Sequence, residues 1–377
     1  MDCKHFGVCG GCSLPGVPYA EQLARKRSRL AELLRVDVPP LIPSPRTAAF
    51  RQKAAFVFGS GTRGLVMGHF AAGSKQIVPV DECPVHGARA NRIAFALRDR
   101  LARAGVPAAD APGGILRHIV VRTTDDNAEA VAMLVVVRND KSLRAPVRGL
   151  LASPEAPEGL FVNINTAPGP YMVGEETIKI AGRSHVRERG FAGTPDGRRV
   201  DFLVSPDAFF QTNVGAARAL LTCVLDGAGA AKRVLDLYCG GGLFALPLAI
   251  GGAQVTAIEE NRQAIEDLRA NARLNRIPSG RVRPIAARVE DAIARVARDR
   301  WDVIVIDPPR DGCSRTVRAA VFEQIRPERV VYVSCNPEAL ARELPEIVKD
   351  GYHIQRVQAV DMFPHTEHIE TVVTLEM

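Results

Sequence analysis

Three observations predict an α/β protein with a β-rich portion ahead of its main sheet. After residue 200, strand-like and helix-like runs alternate repeatedly, as in a doubly wound, mostly parallel sheet. A glycine turn, Tyr238-Cys239-Gly240-Gly241-Gly242, follows the first of those strands, where such sheets bring a ligand close to backbone. Between about 115 and 185, short strands separated by turn signals dominate instead.

Size and charge narrow the class. A chain of 377 residues allows two to three domains, and 46% hydrophobic against 24% charged residues is ordinary for a globular protein. There is no run of 18 apolar residues to span a bilayer, and Met1-Asp2-Cys3-Lys4-His5 has no apolar segment of the signal-peptide kind. A cytoplasmic location is expected by default. A net charge of +7 permits a polyanionic partner without requiring one. Eight cysteines, three of them clustered at the N-terminus, point to metal binding or catalysis more than to a disulfide framework.

Cys3-x5-Cys9-x2-Cys12 opens the chain among Gly7, Gly10 and Gly11, which let a loop wrap its thiolates around one centre. A fourth ligand is needed, and Cys83 in Asp81-Glu82-Cys83-Pro84-Val85-His86 is the only other cysteine in the first 200 residues. Four thiolates suit Zn2+ or an iron–sulfur cluster, and spacing alone does not separate the two.

Residues 18–35 predict an amphipathic helix, with Leu23, Leu30, Leu33 and Leu34 on one face. Arg25, Lys26, Arg27 and Arg29 crowd the other; the default is a solvated face, the sharper alternative a contact with RNA phosphate. Phe50-Arg51-Gln52-Lys53-Ala54-Ala55-Phe56-Val57-Phe58 interleaves basic and aromatic residues on a strand. That pattern suits phosphate contacts plus base stacking, or a plain edge strand. Strands follow around 119–122, 131–137 and 161–165, with turn signals at Asp125-Asp126-Asn127 and Pro168-Gly169-Pro170. The stretch from Gly190 to Arg199 is the loosest boundary candidate or a hairpin turn, and no internal repeat is evident.

In the second half, Arg233–Leu237, Gln254–Glu259, Val303–Ile306 and Val330–Val333 read as strands. Leu243–Ile250, Arg262–Asn275, Arg315–Gln324 and Pro337–Lys349 read as helices, and residues 353–376 are again strand-like. Glu259 closes the second strand about twenty residues past the glycine turn, the offset of a ribose-binding acid. The D-x-x-x-G-G-G spacing and the lack of a second mononucleotide half disfavour a dinucleotide. Asp307-Pro308-Pro309-Arg310 makes a stiff lip after its strand, since two prolines hold extended backbone and withhold two N–H donors. Cys335, in Ser334-Cys335-Asn336-Pro337, sits where a buried strand ends; it is a small core residue or a nucleophile.

These motifs, in this order, resemble the RNA uracil-C5 methyltransferases. The resemblance rests on Phe209-Phe210-Gln211-Thr212-Asn213, Leu235 to Gly242, Asp307 to Arg310, Ser334 to Pro337 and Phe363-Pro364-His365-Thr366-Glu367-His368-Ile369-Glu370. It implies a Rossmann-like class I S-adenosylmethionine-dependent methyltransferase domain at 201–377. An iron–sulfur segment and a β-rich RNA-binding domain are implied for 1–200. The family's chemistry adds a thiolate to C6 of uracil, turning the poor nucleophile C5 into an enolate carbon that takes the methyl group. A base then removes the C5 proton and the thiol is eliminated. By motif, Cys335 is the nucleophile and Glu370 the base. Glu367, three residues away, would point to the opposite face of a strand, and His365 and His368 would be structural or orienting. Cofactor contacts fall on Gln211, Tyr238, Gly240, Glu259 and Asp307, with Gln211 and Asp307 also near uracil, which has to be flipped out of its stack.

Ribosomal-RNA members of the family resemble this chain in four N-terminal cysteines holding a [4Fe–4S] cluster, which implies Cys3, Cys9, Cys12 and Cys83 as ligands. The chain opens at the first of these, without a leading TRAM barrel, and it keeps the cysteines that tRNA-modifying members lack. The expectation is therefore a 23S rRNA enzyme of the short, uracil-747 type, with no membrane association and no obligate protein partner. RNA contacts fall on Arg51 and Lys53, with Gln52 where the family usually has Asn. The rival expectations are a tRNA uracil-C5 methyltransferase, a cytosine-C5 methyltransferase with the same thiol-addition logic, and a non-catalytic iron–sulfur RNA-binding protein. A radical enzyme is disfavoured by the x5 then x2 cysteine spacing.

Overall fold

Two seven-stranded sheets carry the chain. The computed structural model describes residues 2–167, 172–192 and 197–377. The turn signal at 168–170 and the 193–196 part of the boundary candidate lie outside them. Among the described residues no helix is long and apolar enough to cross a membrane.

Helix α1 (Tyr19–Leu34) comes first, as the spacing predicts, and its basic face is solvated at Arg25 and Arg27 as expected, but Lys26 is not. The stripe Gln22, Lys26, Leu30 and Leu34, spaced by four, is the buried one. Lys26 is 2% exposed and its Nζ lies 2.7 Å from Oδ1 of the fully buried Asp361. Its neighbours are engaged as well: Arg25 with Glu21, Arg29 with Glu338, and Arg27 through Nε to the Val38 carbonyl at 2.6 Å. Lys26 and Arg29 tie the helix to the second half, while Arg25 pairs within the helix.

The first sheet runs β3-β2-β1-β4-β5-β6-β7. Its strands are β1 (Lys53–Gly61), β2 (Gly64–Phe70), β3 (Ile77–Pro79), β4 (Leu116–Thr123), β5 (Ala130–Val136), β6 (Gly159–Ile164) and β7 (Glu176–Gly182). β1 is interior, between β2 and β4, and Phe50, Phe56 and Phe58 are buried. Both the stacking surface and the edge-strand reading of 50–58 are therefore corrected: the aromatics are core. Helices α2 (Ala88–Arg103) and α3 (Arg144–Leu151) cover this sheet, so the first half is less purely β than expected. The hairpin β8 (Val186–Ala192) and β9 (Arg199–Val204) follows, and residue 200 falls inside β9. Asn275 Oδ1 and Asn271 Oδ1 accept from the Asp201 and Leu203 N–H groups at 2.9 and 2.6 Å, fixing the hairpin to the second half.

The second sheet runs β12-β11-β10-β13-β14-β16-β15. In chain order its elements are α4 (Val214–Ala228), β10 (Arg233–Leu237), α5 (Ala245–Ile250), β11 (Gln254–Glu259), α6 (Arg262–Leu274), β12 (Val282–Ala286), α7 (Val289–Val296), β13 (Val303–Ile306), α8 (Arg315–Arg318), β14 (Arg329–Ser334), α9 (Pro337–Lys349), β15 (His353–Val360) and β16 (Glu370–Glu376). The first five strands are parallel, and β13 is buried throughout, as a strand covered on both faces has to be. β12 and α7 were not expected; Pro284 within Val282–Ala286 weakens the strand signal, and β12 is an edge, where proline is tolerated. The expected helix 315–324 begins as α8 and continues over Ala319–Ile325 as a π-helix. β16 inserts antiparallel between β14 and β15.

Candidate active site and cysteine nest

The Ser334–Pro337 motif is a strand end joined directly to a helix start. Ser334 is the last residue of β14, and Asn336 caps α9, its side-chain oxygen accepting from the Glu338 and Ala339 N–H groups at 3.1 and 3.3 Å. Pro337 follows at the first helical position, where a missing N–H costs nothing. Cys335 is the one residue between, half-buried at the carboxyl edge of the sheet.

Register then decides what faces it. Ser334 of β14 pairs with Thr371 of β16, so the next position of this antiparallel ladder sets Cys335 against Glu370. The Asp307–Arg310 lip is tied to the same place: Asn336 Nδ2 donates to the Arg310 carbonyl at 2.7 Å. Arg310 Nη2 in turn lies 2.8 Å from His368 Nδ1. Glu367 belongs to the turn before β16 and is exposed, so it is separated from Glu370 by the turn and not by strand alternation. His365 is buried structure, its backbone N–H held by Gln22 Oε1 at 2.8 Å and its Nε2 2.8 Å from the Thr47 carbonyl.

One cavity of about 800 Å3 is lined by Gln211, Tyr238, Gly240, Glu259, Asp307, Cys335 and Glu370 together. At its cofactor-like end, Tyr238 and Gly240 both take positive φ, 63° and 52°; for the tyrosine this is a strained conformation of the kind found at ligand sites. The Gly240 N–H donates to Glu259 Oε2 at 3.1 Å, and Asn261 N–H to Oε1 at 2.8 Å, which fixes the carboxylate across the turn. Gln211 is buried in the link between the sheets, where Gln52 N–H donates to the Thr212 carbonyl at 2.7 Å. Of the Arg51-Gln52-Lys53 stretch, Arg51 lines the cavity and Gln52 is buried at 1% exposure.

The electrostatics are those of acids gathered out of water. Burial, with Asp307 adding to it, pushes the Glu370 carboxyl well above its ordinary range, and Arg310 opposes the shift. Asp307 is pushed up to about 7 by burial and by Glu259. Asp236 of β10, beneath them and fully buried, is pushed well above the usual range by burial and by Asp307. Burial, then Glu370 and Asp307, push the Cys335 thiol up to about 11, with Arg310 opposing. The resting sulfur therefore carries its proton at neutral pH.

Cys3, Cys9, Cys12 and Cys83 line a second, small cavity of about 50 Å3, all as free thiols. Burial pushes Cys12 up to about 11 and Cys83 up to about 12, with Cys9 adding to both shifts and Arg51 opposing them. Gly11 N–H points at Cys9 Sγ at 3.4 Å. By chemistry four thiols suit a metal centre, whose ligands must be deprotonated on loading, but no three of these sulfurs lie within 4.8 Å of one another as the ligands of a single tetrahedral ion would. Among the described residues His69, Cys83 and His86 are the donors that do. Sequence reasoning missed this set, although His86 stands three residues after Cys83. It also missed Arg288 and Glu290, which line the active cavity from the segment after β12. Phe209 is the remaining surprise: it is 64% exposed at the cavity rim.

Comparison with known proteins fits this geometry. The profile of the tRNA (uracil-5-)-methyltransferase family matches residues 191–377. Over 98% of its length the chain is 35% identical to an uncharacterised RNA methyltransferase of Gloeobacter violaceus, covering 80% of that protein. The chain belongs to the RNA uracil-C5 methyltransferase family. A similar protein from Geobacter sulfurreducens is 34% identical over 99% of this chain and 76% of its own length. The Pyrococcus abyssi tRNA (uracil-54, C5)-methyltransferase, solved with S-adenosyl-L-homocysteine, superposes with a TM-score of 0.79. It is 28% identical, over 98% of this chain and 86% of its own. The second sheet is thus the class I S-adenosylmethionine-dependent methyltransferase fold expected from the sequence.

Proposed function

We propose that this family member methylates C5 of a specific uridine in 23S rRNA, using Cys335 as nucleophile and Glu370 as base. The observation that carries the reading is the β14–β16 register, which brings thiol and carboxyl to one cavity wall beside the glycine turn and Glu259. Residues 201–377 supply the chemistry, and residues 1–200 the metal segment and RNA-binding portion.

The Gly240 turn, Tyr238 and Glu259 hold S-adenosylmethionine, which supplies an electrophilic methyl group when bound. The protein's part begins with the Cys335 thiol, which passes its proton to solvent as its sulfur bonds to C6; the C5–C6 pair shifts into C4–C5 and the C4=O4 pair moves onto O4 as an enolate. Arg310, held by Asn336 and His368, offsets the charge gathering at this edge. Once C5 carries the methyl group, Glu370 in its carboxylate form takes the C5 proton, the C5–C6 double bond reforms, and the departing Cys335 thiolate is reprotonated from Glu370. A carboxylate starved of solvent is a stronger base than one in water, which suits that step. Cys3, Cys9, Cys12 and Cys83 hold a [4Fe–4S] cluster that shapes the N-terminal loops; no redox step is needed.

The test is covalent trapping. Wild type forms an adduct with 5-fluorouridine RNA, Cys335→Ala forms none, and Glu370→Gln accumulates enzyme on ordinary RNA. An adduct persisting in Cys335→Ala sinks the assignment. Methyl transfer to 23S rRNA fragments against tRNA decides the substrate. The tRNA reading is the second one, favoured by the fold shared with the Pyrococcus abyssi enzyme. Iron and sulfide analysis of anaerobically purified protein, with Cys9→Ser as control, tests the cluster, and zinc in their place refutes it.

A further inference from the structure

Arg51 is the one residue that lines all three of the cysteine cavity, the active cavity and a further cavity of about 520 Å3 beside Cys335. Its backbone is pinned to the strand of chain that carries Cys83: its N–H donates to the Val85 carbonyl at 2.8 Å, and it forms a parallel bridge with His86. Its guanidinium lies over the Phe363 ring, 5.7 Å from the centroid, and its buried Nε has no hydrogen-bond partner. Among the described residues no carboxylate lies within ion-pair reach of it. Arg51 as a whole is half-buried, so the cost falls on its sealed inner edge, where Nε is left without a partner.

On its inner side Arg51 meets the thiol nest, and Cys12, Cys83 and Cys9 are the groups whose negative charge favours its ionised form. A metal centre on four thiolates, whether iron–sulfur or zinc, carries net negative charge once loaded. We propose that Arg51 is the counter-charge of the loaded nest, a positioning residue held by the thiolates on one side and presented to the polyanionic substrate on the other. The proposal rests on reading Cys3, Cys9, Cys12 and Cys83 as a metal site. It makes metal loading and the shape of the active cavity one event: loading the nest anchors the guanidinium that closes the wall between them.

The experiment compares wild type, Arg51→Met and Arg51→Lys, each reconstituted with iron and sulfide, and with zinc, and follows metal release to a chelator by absorbance. Loss of a charge-assisted contact to sulfur should speed release from Arg51→Met about tenfold, with Arg51→Lys between it and wild type. In metal-free protein the order reverses: Arg51→Met, relieved of an unpaired charge, unfolds at a denaturant concentration no lower than wild type. Release from Arg51→Met at the wild-type rate, or a metal-free Arg51→Met less stable than metal-free wild type, overturns the proposal alone. Wild type that takes up neither iron nor zinc overturns the reading of the nest, and the proposal with it.

Discussion

Replacing Lys26 by Met tests whether α1 is welded to the active-site segment. Lys26 Nζ sits 2.7 Å from Asp361 Oδ1 and 3.1 Å from the Phe363 carbonyl, and Asp361 Oδ1 also accepts the Phe363 N–H at 3.2 Å. Burial pulls the ammonium down from its ordinary range, and Asp361 opposes that, so the pair persists through mutual support. At an effective dielectric of about 20 the gross attraction at this distance is about 6 kcal/mol, most of it offset by desolvating both ions. Deleting one partner strands the other, so Lys26→Met should cost about 4 kcal/mol of stability. Lys26→Met with Asp361→Asn should cost only about 2 kcal/mol, because the amide oxygen still accepts from Phe363 without stranding a charge. Urea titrations of wild type, Lys26→Met, Asp361→Asn and the double variant, followed by circular dichroism, give the cycle. If Lys26→Met falls within about 1 kcal/mol of wild type, the pair is solvated in solution and the burial argument fails.

Other expectations follow from single groups. Burial pushes Glu188 up to about 7 from 4.5, so its folded form keeps a proton that the unfolded form gives up; the stability this represents is full below 4.5 and gone above about 7. Glu188→Gln should therefore match wild type in acid and exceed it by about 3 kcal/mol above neutrality, and parallel stability–pH curves would refute this. Gly312 has φ +92°, and a Cβ there would lie 2.1 Å from Glu343 Oε1, which is held by Cys313 N–H at 2.9 Å. Gly312→Ala should lose about 2 kcal/mol or more and slow turnover by moving the Arg310 loop, and an unchanged melting temperature would contradict it. With the Cys335 thiol up at about 11, adduct formation between wild type and 5-fluorouridine RNA should accelerate steadily as pH rises through neutrality; a flat profile would mean that the thiolate is already formed at rest.

The second sheet was legible because parallel strands buried on both faces leave unbroken apolar runs, as in Val303–Ile306 and Val330–Val333. The gathering of Cys335, Asp307 and Glu259 at one edge follows from strand ends alone, since carboxyl ends of parallel strands share an edge. Glu370 does not: it opens an antiparallel strand, and only the pairing of β16 brings it there. The basic face of α1 misleads at Lys26 alone, because a lysine is ordinarily a surface residue and the carboxylate that draws it inward lies 335 positions away. In Phe50–Phe58 the alternation is real, but period two does not say which face is wet. Helix α2 is readable from Ala90, Ile93, Ala94, Leu97 and Leu101, a core stripe that carries no chemistry.

β16 is held on both sides, and its phase along the chain settles what the cavity contains. Slipping it by a single residue would bring Ile369 or Thr371 to the position of the acid, exchanging a proton acceptor for hydrocarbon or a hydroxyl. The length of 361–369 is consequently as much a part of the catalyst as any side chain in it. Insertions and deletions that surface turns elsewhere absorb would, in this turn, leave a folded protein without chemistry.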